Sequence, residues 1–284
     1  RRILILPNVE LRMLPVTDSG KLVNIHCLFN PDYESNLENN FFGSIEYCAG
    51  SGKKYKMNRQ GLIDLGKSLN SSLDNETAYQ KGIDSFFITH SDLQKLLDEN
   101  RHFRENVIVV VSNSNKDGAS AFQKHYDLFE DVAAGSLDAV RKSIYSISDC
   151  IFSSNEKDIT YFLGLKKDSK RVVIEKCGSL KPCIHGSDAH TDEKLFEPDG
   201  QKYCWIKADP NFEGLKQILY EPFDRVSFGY ERPDKKKSYF LIDKVRFIDN
   251  SKQDNFQTNT FEINQNLTTI IGGKSTGKSL MLYY

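Results

Sequence analysis

The chain predicts an α/β fold in which strands alternate with helices for most of its length, followed by a short segment of strands that ends in a glycine-rich turn. Three observations carry this. Short apolar, β-branched runs such as Val107-Ile-Val-Val-Val-Ser112 recur down the chain. Stretches with helical spacing and capping residues lie between them, and strands alternating with helices imply parallel β/α units. After Glu231-Arg-Pro-Asp-Lys-Lys-Lys-Ser238 the pattern changes, because the remaining strand-like runs follow one another with no helix between.

Taken in order, the apolar runs predict strands at Ile3–Leu6, Val23–Phe29, Val107–Ser112, Cys150–Ser153, Arg171–Glu175, Cys183–His185 and Tyr203–Ile206. Helices are expected at Ser91–Asn100, opened by a capping Ser/Asp pair, at Ala119–Ala134, at Asp138–Ser146 and at Asn211–Leu219. The nearly continuous apolar character of Val107–Val111 suits a sheet covered on both faces, as in a barrel. Beyond the break, Tyr239–Ile248, Phe261–Ile263 and Leu267–Ile271 read as strands. The expected domains are therefore 1–230, a linker at 231–238, and a second domain beginning at 239 and running to 284.

Composition sets outer limits. The 284 residues are 39% hydrophobic, enough for a proper core, and the net charge is −1. That balance argues against a uniformly basic nucleic-acid coat but leaves room for a local basic channel. No apolar stretch approaches membrane-spanning length, and nothing resembles a secretory signal. The six cysteines are scattered without C-x-x-C pairs, which fits reduced thiols in a cytoplasmic protein rather than a zinc ribbon or a disulfide framework.

Two motifs carry chemistry. Gly272-Gly273-Lys274-Ser275-Thr276-Gly277-Lys278-Ser279 is G-x-x-x-x-G-K-S, the P-loop, preceded by a β-branched run and followed by helix formers. Glycines let successive backbone N–H groups turn inward around phosphate oxygens, Lys278 neutralises the outer phosphates, and Ser279 holds Mg²⁺, so ATP with Mg²⁺ is the expected ligand. The other motif is His185-Gly-Ser-Asp188-Ala-His190. Alternation along an extended backbone points Asp188 and His190 the same way, so both can reach one metal, and a carboxylate with an imidazole suits Zn²⁺, Mn²⁺ or Fe²⁺. In a β/α barrel such a strand end lies at the mouth where chemistry is done.

This second motif, with "PNVELRM", "LVNIHCLFN" and "WIKADPNFEGLKQILYEPFDRV", resembles the PHP (polymerase and histidinol phosphatase) family of metal-dependent phosphoesterases. A PHP domain, a short linker and an SMC/ABC-like P-loop in that order look like the PHP–ATPase fusions of the TrlF-like family. The resemblance implies a distorted (βα)₇ barrel followed by the first strands and P-loop of an ATPase domain. Glu10 matches the family's bridging glutamate, His26 the histidine on the next strand, and Asp188 and His190 the final motif, so these four are the expected metal-binding and catalytic residues. The implied activity is metal-assisted phosphoester hydrolysis, nuclease-like on DNA or RNA, coupled to an ATPase and used in anti-phage defence, with a homodimer as the assembly. The alternative is a degenerate barrel that serves the ATPase as a sensor or scaffold.

Two departures bear on that choice. The family's first motif, H-x-H, is absent, and Ser112-Asn113-Ser114-Asn115 stands where another histidine is usual. The missing motif, the first residue Arg1 and the position of the P-loop carry the expectation of a longer protein, truncated here at both ends. Outside the motifs, His185 is a candidate substitute ligand or a supporting residue, whereas His90, His102 and His125 are expected to be solvated or packing residues.

Overall fold

A computed structural model describes residues 3–17, 19–114, 118–121, 135–187, 189–233, 238–246, 248, 259–264 and 267–279. The chain divides into two units, Arg1–Tyr230 and Glu231–Tyr284.

The first unit opens with β1 (Asn8–Val16) and β2 (Leu22–Phe29), an antiparallel hairpin closed by Thr17, which donates its N–H to Lys21 O at 2.7 Å. A connection this short cannot join parallel strands, so the all-parallel β/α expectation fails here. The expected strand Ile3–Leu6 is displaced to Asn8, and Ile3 and Ile5 remain exposed. After a small hairpin of β3 (Glu46–Cys48) and β4 (Lys54–Lys56) come the paired helices α1 (Arg59–Leu69) and α2 (Asn75–Ser85). Asn58 caps α1 through the Gly61 N–H at 2.9 Å, and Asp74 caps α2. Glycines let the two backbones meet: a Cβ on Gly66 would lie 1.9 Å from Ala78 O, and one on Gly82 would lie 2.0 Å from Leu62 O.

The chain continues through β5 (Ile88–Thr89), α3 (His90–Glu99), α4 (Arg101–Glu105) and β6 (Val107–Ser112). Next come α5 (Gly135–Ile147), β7 (Cys150–Phe152), α6 (Glu156–Phe162), α7 (Lys170–Cys177) and β8 (Cys183–Ile184). Last are β9 (Tyr203–Ile206), α8 (Phe212–Lys216), α9 (Pro222–Arg225) and β10 (Val226–Gly229), with β9 and β10 antiparallel. The expected strand Arg171–Glu175 is instead the middle of α7. Its Val-Val-Ile run looks β-like, but Val173 and Cys177, four apart, are the residues it buries, and Gly178 at φ +82° ends the helix. Of the helix expected at Ala119–Ala134, only a 3₁₀ turn at Ala119–Ala121 is described; His125 and the rest lie outside the described residues.

The six long-range strands form one sheet in the order β5-β1-β2-β6-β7-β8, and only β2 runs against the others. Five of six strands are therefore co-directional, which makes the unit mixed α/β with a mostly parallel sheet. Among the described residues the sheet is open: no ladder joins β5 to β8, each of them two residues long, so the expected seven-stranded barrel is not formed there.

Alternation sorts the two faces. Leu11, Met13, Val23, Ile25, Val109 and Val111 point into the main core beneath the helices, where a fully buried aliphatic side chain stabilises by about 1.5–3 kcal/mol. The opposite face is divided. Ile108, Val110 and Cys150 pack under Phe212 of α8 and Ile218 of the following 3₁₀ turn, whereas Glu10, Arg12, Asn24, His26 and Ser112 stand at the uncovered end. All six cysteines are free thiols. Burial pushes Cys27 up to about 12 and Cys177 and Cys204 up to about 11, so these are protonated and unreactive at neutral pH.

In the second unit, β11 (Lys244–Arg246) and β12 (Thr260–Glu262) pair antiparallel. Leu267–Ile271, expected as a buried strand, has no ladder partner among the described residues, and Ile271 is 88% exposed. A lone extended segment is not a strand until a neighbour takes its N–H and C=O groups. Among the described residues no helix is long and apolar enough to cross a membrane.

Candidate functional site

The uncovered half of the second sheet face is the floor of a cavity of about 860 Å³. It lies at the ends of β6, β7 and β8 that lead into Ser112–Ser114, Ser153–Asn155 and His185–Ser187, the end of a parallel sheet where α/β folds place ligands. Glu10 and His26 are direct partners in the β1–β2 register, and Arg12 is opposite Asn24, so one hairpin delivers four polar side chains to one face. His190, 180 residues from Glu10 in sequence, lines the same cavity. Asp188 lies outside the described residues, between the cavity residues Ser187 and His190.

Local partners hold these groups. Arg12 Nη2 lies 2.7 Å from Glu10 Oε1. The Asn8 amide is 3.1 Å from His26 Nδ1, and the His26 ring stacks on Phe152 with centroids 5.6 Å apart. Behind β7, the Ser153 hydroxyl donates to the largely buried Asp158 at 2.7 Å, and Asn155 accepts the Lys157 N–H at 2.9 Å. His185 has its Nε2 buried without a hydrogen-bond partner among the described residues. Desolvation first, and the Lys202 ammonium second, hold its pKa below the ordinary histidine range, which favours the neutral ring.

The donor types fit a divalent metal, since Glu10, His26 and His190 bring a carboxylate and two imidazoles to one cavity. Among the described residues, however, no three His, Cys, Asp or Glu side chains gather into a ligand set, and Glu10 is engaged by Arg12. Of the remaining histidines, His90 begins α3, and His102 packs on Tyr33 with centroids 5.2 Å apart.

Sequence reasoning missed Ser153, Asn155, Lys157 and Asp158. The signal was present: a Ser/Asn run follows β7 just as one follows β6, and polar runs at the same end of adjacent parallel strands converge.

In the second unit, the glycine-rich run Gly272–Ser279 forms a turn in which Ser275 and Gly277 have φ of 66° and 82°. Lys278 Nζ donates to Gly272 O at 2.7 Å and also to Gly273 O, and Thr276 donates to Gly273 O at 2.9 Å.

In comparison with known proteins, no family model, curated protein or solved structure matches the chain.

Proposed function

We propose that the first unit is a PHP-like metal-dependent phosphoesterase domain acting on DNA or RNA, and that the second begins an SMC/ABC-type ATPase domain. One observation carries the reading: Glu10, His26 and His190, singled out by motif and separated by most of the unit, line a single cavity at the functional end of the sheet. When bound, a divalent metal (Mn²⁺, Zn²⁺ or Fe²⁺) held by Glu10, His26, Asp188 and His190 supplies an activated water and neutralises phosphoryl charge. The chain's own residues do the rest. Asn8 orients the His26 ring, Arg12 holds the Glu10 carboxylate, and Lys157 with the serine hydroxyls of the loops presents positive charge and donors to an ester's oxygens.

In the second unit, Gly272–Ser279 is the proposed cradle for ATP and Mg²⁺. A nucleotide-gated nuclease working as a homodimer in anti-phage defence is the proposed context, resting on fold-level analogy. The test is metal content by elemental analysis, wild type beside the Asp188→Ala/His190→Ala double variant, with nuclease and phosphatase assays on the same samples. Stoichiometric metal and hydrolysis that disappear together are the expected result. A metal-free, inactive wild type sinks the reading.

The second reading is a degenerate PHP domain that senses a ligand or nucleic acid for the ATPase. The Glu10–Arg12 pair and the Ser112-Asn113-Ser114 run, where the family usually offers a histidine, favour it. If the domain is instead only a structural platform for the ATPase, Lys278→Ala abolishes every activity and Asp188→Ala abolishes none.

A further inference from the structure

The floor of the cavity holds polar atoms that the metal site leaves unused. Asn24, Asn113 and His185 line it, and each has one buried side-chain atom with no hydrogen-bond partner among the described residues: Asn24 Oδ1, Asn113 Nδ2 and His185 Nε2. Asn113 is the most constrained of the three. It is 5% exposed, and its Oδ1 accepts the Tyr145 hydroxyl proton at 2.7 Å. The phenol hydroxyl donates and the amide oxygen accepts, which leaves the amide nitrogen on the other side.

Behind Tyr145 stands the fully buried Arg141, whose guanidinium lies 5.7 Å from the ring centre and acts on the same hydroxyl. On the other side, Ser120 Oγ donates to Asn113 O at 2.6 Å and to Ser114 O at 3.0 Å, pinning the main chain after β6. Amide orientation and backbone are therefore both set, and the amide N–H donors of this cavity-lining residue are left unmatched. Polar groups buried in this way are normally satisfied by something.

An amide nitrogen has no lone pair to offer a cation, so its partner is an acceptor. The side chains around it select which acceptor. Arg12 and Lys157 bring positive charge, and Ser112, Ser114 and Ser153 bring hydroxyls. Of the carboxylates that line the cavity, Glu10 is paired with Arg12, Asp158 accepts from Ser153, and Asp199 remains. We infer that Asn113 recognises phosphate: its side-chain N–H donates to a non-bridging oxygen of a phosphoryl group in the cavity, with Tyr145 as the residue that positions it. The choice of phosphate among anions rests on the phosphoesterase reading above; the donor role of Asn113 rests on its own geometry.

The experiment titrates inorganic phosphate by calorimetry into the metal-free 284-residue chain, comparing wild type with Asn113→Asp, Asn113→Ala and Tyr145→Phe, each checked for folding by thermal melt. Asn113→Asp preserves shape and still accepts from Tyr145 but faces the anion with a carboxylate. It is expected to weaken phosphate by well over about tenfold, Asn113→Ala by about tenfold, and Tyr145→Phe by about threefold as the amide loses its fixed orientation. If Asn113→Asp does not fold, Asn113→Ala carries the test. Phosphate bound equally well by the Asn113 variants overturns the inference. So does a wild type that ignores phosphate, or an Asn113→Asp variant that gains Mn²⁺ while keeping phosphate. Phosphate binding that depends on Asn113, with no hydrolysis under any added metal, removes the phosphoesterase reading and leaves this one standing. Hydrolysis whose KM is indifferent to Asn113→Asp does the reverse.

Discussion

Glu10 and His26 reach the cavity of the first unit only because β1 and β2 pair in one register, whereas Ser275 and Gly277 in the second unit turn through their own backbone angles. A one-residue slip of β2 would send His26 and Asn24 into the apolar core and Ile25 and Cys27 into the cavity. No comparable slip exists for the glycine loop. Its shape is closed by bonds within eight residues, such as Lys278 to Gly272 O, and it keeps that shape although Leu267–Ile271 beside it has no strand partner among the described residues. A site made of side chains inherits the whole sheet as a requirement, and one made of backbone N–H groups needs mainly local conformation.

The largest test of that contrast is Phe29→Ala. Phe29 is fully buried at the end of β2 and packs on Phe41 at 5.1 Å between centroids. Its truncation is expected to cost the first unit about 3–5 kcal/mol by chemical denaturation, while the ATP affinity proposed for Gly272–Ser279, read by calorimetry, stays unchanged. A parallel loss of ATP binding would break the contrast. Next comes Arg104→Ala. Arg104 makes a two-pronged bond to Asp149, one arm at 3.1 Å, and Asp149 also accepts the Val109 N–H at 2.9 Å, tying α4 to the strands on either side of α5. The Asp149 side chain is only 10% exposed, but Arg104 is 41% exposed, so solvent screening reduces the expected cost to about 2 kcal/mol. An effect within experimental error would mean the pair is solvated and the sheet is held by packing alone.

In the other unit, Gly277→Ala asks a left-handed position to carry a Cβ. The strain is about 1–2 kcal/mol, read as roughly tenfold weaker ATP binding with no change in the melting of the first unit. The smallest expected effect is the pH response of the α2 cap. The Thr77 hydroxyl and then the Thr77 N–H hold the Asp74 carboxyl below its ordinary value. A folded pKa below the unfolded one stabilises above the unfolded value and ceases to do so as pH falls through the folded value. The difference in Tm between wild type and Asp74→Asn is therefore expected to be present at neutral pH and to close in acid. A gap that persists at the acid end would assign the cap to shape rather than charge.

The strands at Val107–Ser112 and Tyr203–Ile206 were legible to the residue; the first is a fully buried apolar run, which has few alternatives, and the second is a short aromatic run only partly buried. Arg171–Glu175 was misread as a strand because β-branched composition outweighed a weak i, i+4 pair, and tertiary contact at Val173 and Cys177 decided it. Glu10, His26 and His190 were expected together only through the family resemblance, since each alone reads as an ordinary strand or loop residue; the cavity they line was set by strand pairing, and the Ser/Asn loop after β7 was passed over for lack of a motif.

By itself, then, the sequence determined what is local: the alternation that assigns each residue of β2 to one face, and the glycines that let Gly272–Ser279 curl. Tertiary structure alone decided the strand order, the reversed β2, the places of β5 and β8 at the two ends of that order, and the buried Arg141–Tyr145–Asn113 chain. The physical reason is range. Dihedral preference and side-chain alternation act over a few residues, but which face is covered, and which polar atom is left without water, depends on segments far apart in the chain coming together.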